Sequence, residues 1–264
     1  MSDRLLVSPL LSGVGVPHGF STRRGGVSTG IFASLNFGNP SELGSEQRDP
    51  PENIARNLAQ IMRDLGTGSR DLAQVHQVHA AEVVTLRRGD PDGGRTRHAR
   101  ADGLLTDDPG RAVGVRVADC APVLLASECG AIVAAVHAGW RGVIAGVVAR
   151  AVDSMRRLAP GAPPRLIAAI GPCIGPEAFE VGAEVAAAFT RAFDSDDRVV
   201  RPRTTTPGPW RVDLKEALRL QLVRAGVDAI DIIPGCTASE PQRFFSHRRE
   251  RGRTGRMIAV IGPK

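Results

Sequence analysis

Short apolar runs, rich in β-branched residues, recur along the chain at 82–86, 112–117, 123–126, 131–136, 166–170, 230–233 and 257–261. Their length and the turn residues that bound them predict β-strands. Three other segments carry helical signals. Asp49-Pro50-Pro51-Glu52 supplies an N-cap, a proline in the first turn and an acidic third position ahead of an apolar series from Ile54 to Met62. A second helix is expected from Val143 towards Leu158. A third is expected from Asp213, where Glu216 completes a capping-box spacing and Leu214, Ala217, Leu218 and Leu222 mark an apolar face. Segments 87–100 and 201–209, with their Gly, Pro, Asp and Thr clusters, read as surface loops. No repeat or linker-like stretch interrupts this order, so the pattern predicts a mixed α and β class in one domain.

Composition narrows the setting more than the activity. At 264 residues and 42% hydrophobic content the chain can bury a sizeable core. It starts without an apolar stretch of signal-peptide length and has no run of 18 apolar residues, so neither secretion nor a membrane partner is expected. Cys120, Cys129, Cys173 and Cys236 are widely spaced, which argues against a disulfide framework and for a reducing cytoplasm. The net charge of +6 is almost all arginine, the lysines being Lys215 and Lys264. Basic residues are scattered and aromatics make up only 4%, so no nucleic-acid partner is expected.

The chemistry concentrates where two strand-like runs end in reactive side chains: Val-Ala-Asp119-Cys120-Ala-Pro122 and Ala-Val-His137-Ala-Gly-Trp140-Arg141-Gly142. Upstream, Gln74-Val-His76-Gln-Val-His79 adds imidazoles. A thiolate with two or more neutral nitrogen donors suits Zn²⁺ and could take copper. The same residues offer a metal-free alternative, a Cys120–His137 thiolate–imidazolium pair for hydrolysis. Asp119 could orient an imidazole or accept a proton, and Arg141 could grip phosphate or carboxylate. The sequence contains no H-E-x-x-H, no P-loop, no G-x-S-x-G and no zinc-deaminase signature. Only six histidines occur and none in His-x-His, which does not suit a blue-copper laccase.

An ordered series of segments resembles the laccase-domain family, once called multicopper polyphenol oxidoreductases and associated with purine nucleoside phosphorylase activity. The segments are Phe20-Ser-Thr-Arg23-Arg24-Gly25-Gly26, Ser34-Leu35-Asn36-Phe37-Gly38, Gln77-Val78-His79, Ala101-Asp102-Gly103, Asp119-Cys120-Ala-Pro122, His137-Ala-Gly-Trp140-Arg141-Gly142, Gly-Pro172-Cys173-Ile174, and Phe244-Phe-Ser246-His247-Arg248-Arg249 with Thr254-Gly255-Arg256. The resemblance implies an α+β fold, a single domain over 1–264 of packed mixed β-sheets flanked by helices. It implies metal ligands His79, Cys120 and His137, with His76 merely packed or supporting. The implied partners are small-molecule purine nucleosides and phosphate, the oligomeric state being left open. Phosphorolysis of adenosine, inosine, guanosine and 5′-methylthioadenosine would share the pocket with hydrolytic deamination of adenosine.

Within that resemblance Cys120, His79, His137 and Asp119 are the expected catalytic residues. Arg23, Asn36, Arg141, Ser246, His247 and Arg248 are the expected substrate-binding residues, and Arg24 is a further candidate for holding phosphate. Two other activities fit the same residues: an amidase that edits peptidoglycan precursors through Cys120 and His137, and a copper-dependent polyphenol oxidase. The chain departs from the family at Glu177-Ala178-Phe179, where many members carry a tyrosine, and it contains no tyrosine at all.

Overall fold

The computed structural model describes residues 3–91, 95–159, 164–201, 210–227 and 229–264. In chain order the elements are β1 (Leu5–Leu6), α1 (Pro9–Gly13), β2 (His18–Ser21), α2 (Pro51–Asp64), β3 (Asp71–Ala73), β4 (Val83–Leu86), β5 (Gly103–Thr106), β6 (Arg111–Val117), β7 (Ala121–Ser127), β8 (Val133–Ala138), α3 (Trp140–Ile144) and α4 (Val147–Leu158). They continue with β9 (Leu166–Ile170), β10 (Glu180–Val181), α5 (Ala183–Ala192), β11 (Val200–Arg201), β12 (Trp210–Val212), α6 (Leu214–Arg224), β13 (Ala229–Ile232) and β14 (Met257–Ile261). One mixed sheet has the order β1-β2-β14-β6-β3 and a second β13-β9-β7-β8-β5-β4, while β10-β12-β11 form a small antiparallel sheet beside α5.

Strand periodicity explains how these pieces stack. Along β7, Leu124 and Ala126 face the first sheet and pack with Phe20, Val113, Val115, Ala259 and Ile261. The alternate residues Val123 and Leu125 face the other way, onto Val148, Ala151, Val152 and Met155 of α4 and Leu218 and Leu222 of α6. On the far side, Ile61 and Met62 of α2 cover Ala112, Ile258 and Val260 of the first sheet. The layers therefore run helix, sheet, sheet, helix, and the central strands are apolar on both faces because both are covered.

All seven predicted strands are present, with ends moved by no more than two residues. The helices need two corrections. Asp49 does not cap α2: the helix follows Pro50, and the buried Asp49 carboxylate instead accepts from Ser28 Oγ at 2.6 Å, Asn36 Nδ2 at 2.8 Å and Asn53 Nδ2 at 3.0 Å. The helix expected from Val143 to Leu158 is broken into α3 and α4 at Gly146, whose φ of 76° lies in the left-handed region where a Cβ would be strained. The expected loop 87–100 contains a 3₁₀ turn at Arg95–His98. Its residues 92–94, and residues 202–209 of the other expected loop, lie outside the described residues.

Candidate active site

Antiparallel pairing brings three chain positions to one edge of the second sheet. Pro122 of β7 pairs with His137 of β8, and Gly103 of β5 pairs with Val136. Cys120 just before β7, His137 at the end of β8 and Asp102 just before β5 are thereby neighbours, although 35 residues separate Asp102 from His137. His79 arrives from the segment ahead of β4. The ligand atoms of His79, Cys120 and His137 all lie within 4.8 Å of one another, and the two imidazoles meet edge to face.

Asp102 builds this cluster. Its fully buried carboxylate accepts the backbone N–H groups of Val78 at 3.2 Å, His79 at 2.9 Å and Ala80 at 2.6 Å. It also accepts from His137 Nδ1 at 2.8 Å, while its own carbonyl takes the His137 backbone N–H at 2.7 Å. One carboxylate thus sets the turn that carries His79, itself at φ 60°, and the tautomer of His137, turning Nε2 towards Cys120. Burial works to raise the Asp102 pKa, but the His137 imidazole and the backbone donors outweigh it and hold the carboxyl below its usual range.

The pair at the centre is polarised. Burial alone would push the Cys120 thiol up, yet His137, followed by His79, brings it down to about 6. Burial would likewise depress His137, but the Cys120 thiolate and Asp102 raise it to about 9. A soft thiolate, the His137 imidazole held by Asp102 and the exposed His79 imidazole form a donor set that fits zinc. The cradle is close: a Cβ on Gly139 would stand 2.9 Å from His79 Cδ2 and 3.0 Å from Cys120 Sγ, so glycine keeps the space between the ligands open.

Residues 17–264 match the family model described as multi-copper polyphenol oxidoreductase laccase. The chain belongs to this laccase-domain family. It is 37% identical over 264 residues to a purine nucleoside phosphorylase of Deinococcus radiodurans, spanning 98% of this chain and 92% of that one. It is 40% identical over 248 residues to a purine nucleoside phosphorylase of Xylella fastidiosa strain 9a5c, spanning 92% and 91%. The crystal structure of YlmD from Geobacillus stearothermophilus superposes with a TM-score of 0.84 at 34% identity, covering 99% of this chain and 96% of that one.

In this laccase-domain chain the triad opens into a cavity of about 550 Å³. Among the expected site residues, His79, Asp119, Cys120, His137, Arg141, His247 and Arg248 line it, and Trp140 and Phe179 add aromatic surface. Asp119 reaches it through its role in the fold. Its carboxylate accepts from Thr237 Oγ1 at 2.6 Å, Ser246 Oγ at 3.0 Å and the Arg248 backbone N–H at 2.6 Å, which ties the segment after Phe245 to the Cys120 strand.

Three expected substrate-binding residues stand elsewhere. Ser246 is fully buried on Asp119, and Asn36 is fully buried, accepting the Gly38 and Arg256 backbone N–H groups. The Arg23 guanidinium lies over Phe245 and donates to Ala33 O and Pro241 O. Arg24, the further phosphate candidate, pairs with Asp3 and donates to Gln242 O at 2.7 Å. These loops looked accessible in the sequence, but their backbone carbonyls and N–H groups need internal partners and the side chains supply them. Conversely, Glu42, Arg116 and Arg256 line the cavity and were not singled out. His76 lines it too, though its backbone is engaged with Ala99 and Ala101.

Proposed function

We propose that this chain is a zinc-dependent purine nucleoside phosphorylase of the cytoplasm, with residues 1–264 acting as one catalytic domain. It would convert adenosine, inosine, guanosine or 5′-methylthioadenosine and phosphate to free base and sugar 1-phosphate, and deaminate adenosine hydrolytically in the same pocket. The observation that carries this reading is one cavity in which a His-Cys-His donor set faces arginines and aromatic rings. The relatives named purine nucleoside phosphorylase support it over more than nine-tenths of the chain.

Zinc held by His79, Cys120 and His137 supplies Lewis-acid chemistry, and three protein ligands leave it room for a further one. In phosphorolysis a phosphate oxygen bonds to C1′ as the C1′–N9 bond breaks, and N9 receives the electron pair and then a proton. Asp102 keeps the His137 proton on Nδ1, and Trp140 and Phe179 offer faces on which a purine can stack. Arg141 and Arg248, each beside one of these rings, bring positive charge to the rim. The deciding experiment is chromatography of adenosine incubated with zinc-loaded protein, with and without phosphate, beside Cys120→Ala. Phosphate-dependent adenine from the wild type alone is expected. Wild-type turnover by Cys120→Ala would defeat the reading.

A second reading has its own support: Cys120, His137 and Asp102 follow one another as nucleophile, base and orienting acid. That order would serve an amidase acting on aminoacyl-linked sugar nucleotides. Release of L-Ser from a mis-charged precursor, without nucleoside turnover, would favour it. Copper-dependent oxidation of phenols would fall to the same cluster, the one such group of ligands among the described residues.

A further inference from the structure

The cavity wall carries two guanidinium groups that form no ion pair among the described residues, the largest opposing charge on either being that of Glu42 on Arg256. Arg116 lies near the end of β6 and Arg256 just before β14. The antiparallel register places Ile258 opposite Arg116, so Arg256 is the diagonal neighbour of Arg116 on the same sheet face. Both are half-buried. Among the described residues neither forms an ion pair, whereas Arg23, Arg24, Arg243 and Arg249 all do. The Arg116 guanidinium has no hydrogen-bond partner among those residues. Arg256 Nη1 donates only to the carbonyls of Thr254 and Gly255, at 3.1 Å each.

The surroundings hold Arg116 in place without an ion pair. Gln77 grips the Arg116 backbone from both sides, its Nε2 donating to Arg116 O at 2.8 Å and its Oε1 accepting the Arg116 N–H at 2.8 Å. That glutamine is two residues from His79, so the wall and the metal-ligand set are mechanically joined. Gly38 makes room: a Cβ there would stand 3.0 Å from Arg116 Nη1 and 3.6 Å from Arg256 Cγ. Burial lowers the pKa of both groups, and for Arg116 the Arg256 charge lowers it further, the signature of like charges held together out of water. Arg256 in turn feels the Glu42 charge first and then those of Cys120 and Asp119, which oppose the effect of burial. With Glu42 acting on Arg256 and no carboxylate paired with Arg116 among the described residues, the two neighbouring cations leave an excess of positive charge that an anion would offset. Guanidinium groups match a tetrahedral oxyanion through paired N–H donors.

We propose that Arg116 and Arg256 form the oxyanion subsite of this cavity and bind inorganic phosphate. The identity of the anion rests on the phosphorylase reading. The exposed Arg141, His247 and Arg248 are then left to the nucleoside.

The test is calorimetric titration of inorganic phosphate into zinc-loaded wild type, Arg116→Gln, Arg256→Gln and, as a control, Arg24→Gln. Phosphate Kd is expected to rise about tenfold or more in the first two variants and to stay unchanged in the control. In steady-state assays the KM for phosphate rises in parallel, while the KM for adenosine stays within about twofold. Melting separates this role from a structural one: relief of repulsion leaves Arg116→Gln melting no lower than the wild type, whereas a scaffold arginine would lower it. Arg116→Lys, which keeps a charge but loses the paired donors, should fall between wild type and Arg116→Gln in phosphate Kd. An unchanged phosphate Kd in both glutamine variants overturns the subsite even if nucleosides are turned over. Phosphate binding that depends on Arg116 and Arg256 in a protein that turns over no nucleoside keeps the subsite and removes the phosphorylase reading.

Discussion

Asp102 and Asp119 are both buried acids just ahead of central strands, yet they organise different halves of the cavity. Asp102 collects three consecutive backbone N–H groups and one imidazole, so its work is confined to the turn and strand that present His79 and His137. Asp119, at φ 84°, collects two hydroxyls and one N–H from residues 118 to 129 positions further along the chain, and so fastens the His247–Arg248 segment over the cavity. A carboxylate beside Cys120 in sequence can serve the far wall of the cavity, while the one that serves the two imidazoles comes from another strand. Metal affinity and substrate affinity should therefore respond to different acids.

The harshest way to break that comparison is to destroy the metal side while leaving both acids in place. Gly139→Ala puts a Cβ about 3 Å from both His79 and Cys120. It should cost more than about a hundredfold in turnover and abolish zinc binding by elemental analysis, with the circular dichroism of the fold retained. Next in size is Asp102→Asn, which should weaken zinc by about 10–100-fold in competition with a chelator. An Asp102→Asn protein with wild-type zinc affinity would remove Asp102 from the role assigned here.

Asp119→Asn should do the reverse. Zinc affinity stays near wild type, the nucleoside KM rises several-fold, and denaturant melts show a loss of about 1–3 kcal/mol, because buried donors lose a charged acceptor. If zinc affinity fell as far as in Asp102→Asn, the two halves would not be separable. The smallest effect is read in metal-free protein. The depressed Cys120 pKa contributes stability that is lost as pH falls through about 6, and the raised His137 pKa contributes stability that is lost as pH rises through about 9. The ion pair therefore exists between those limits. Thiolate ultraviolet absorbance should appear near pH 6, and the midpoint should move up in Asp102→Asn.

What could be read in advance followed local pattern. The core strands were legible because an apolar run covered on both faces looks the same in any context. Cys120 and His137 stood out as reactive groups at the ends of such runs. Asp102 did not, since its partners become neighbours only through the parallel pairing of β4 with β5 and the antiparallel pairing of β5 with β8. Arg116 is illegible because, within a strand, an arginine facing a cavity and one facing solvent look alike, and Arg256, although within the Thr254-Gly255-Arg256 segment, meets Arg116 only through the pairing of β14 with β6. Asn36 and Arg23 are polar residues in glycine-rich loops, a setting that suggests ligand contacts, and in the fold they bond to loop backbone. The break at Gly146 is not legible in the sequence because apolar periodicity continues across it and only the backbone torsion reveals the stop.

The three N–H groups that converge on Asp102 also bear on when the His-Cys-His cluster becomes ordered. In small zinc-folded modules the ion organises its own ligands, and removing it unfolds the chain. Here the peptide groups flanking His79 are already anchored to an acid within the protein, so the entropy of arranging the donors is lost during folding, before any ion arrives. Chelation should consequently leave a cooperatively folded chain that reloads in one bimolecular step. Occupancy would then follow the free metal concentration around the protein and not the history of its folding.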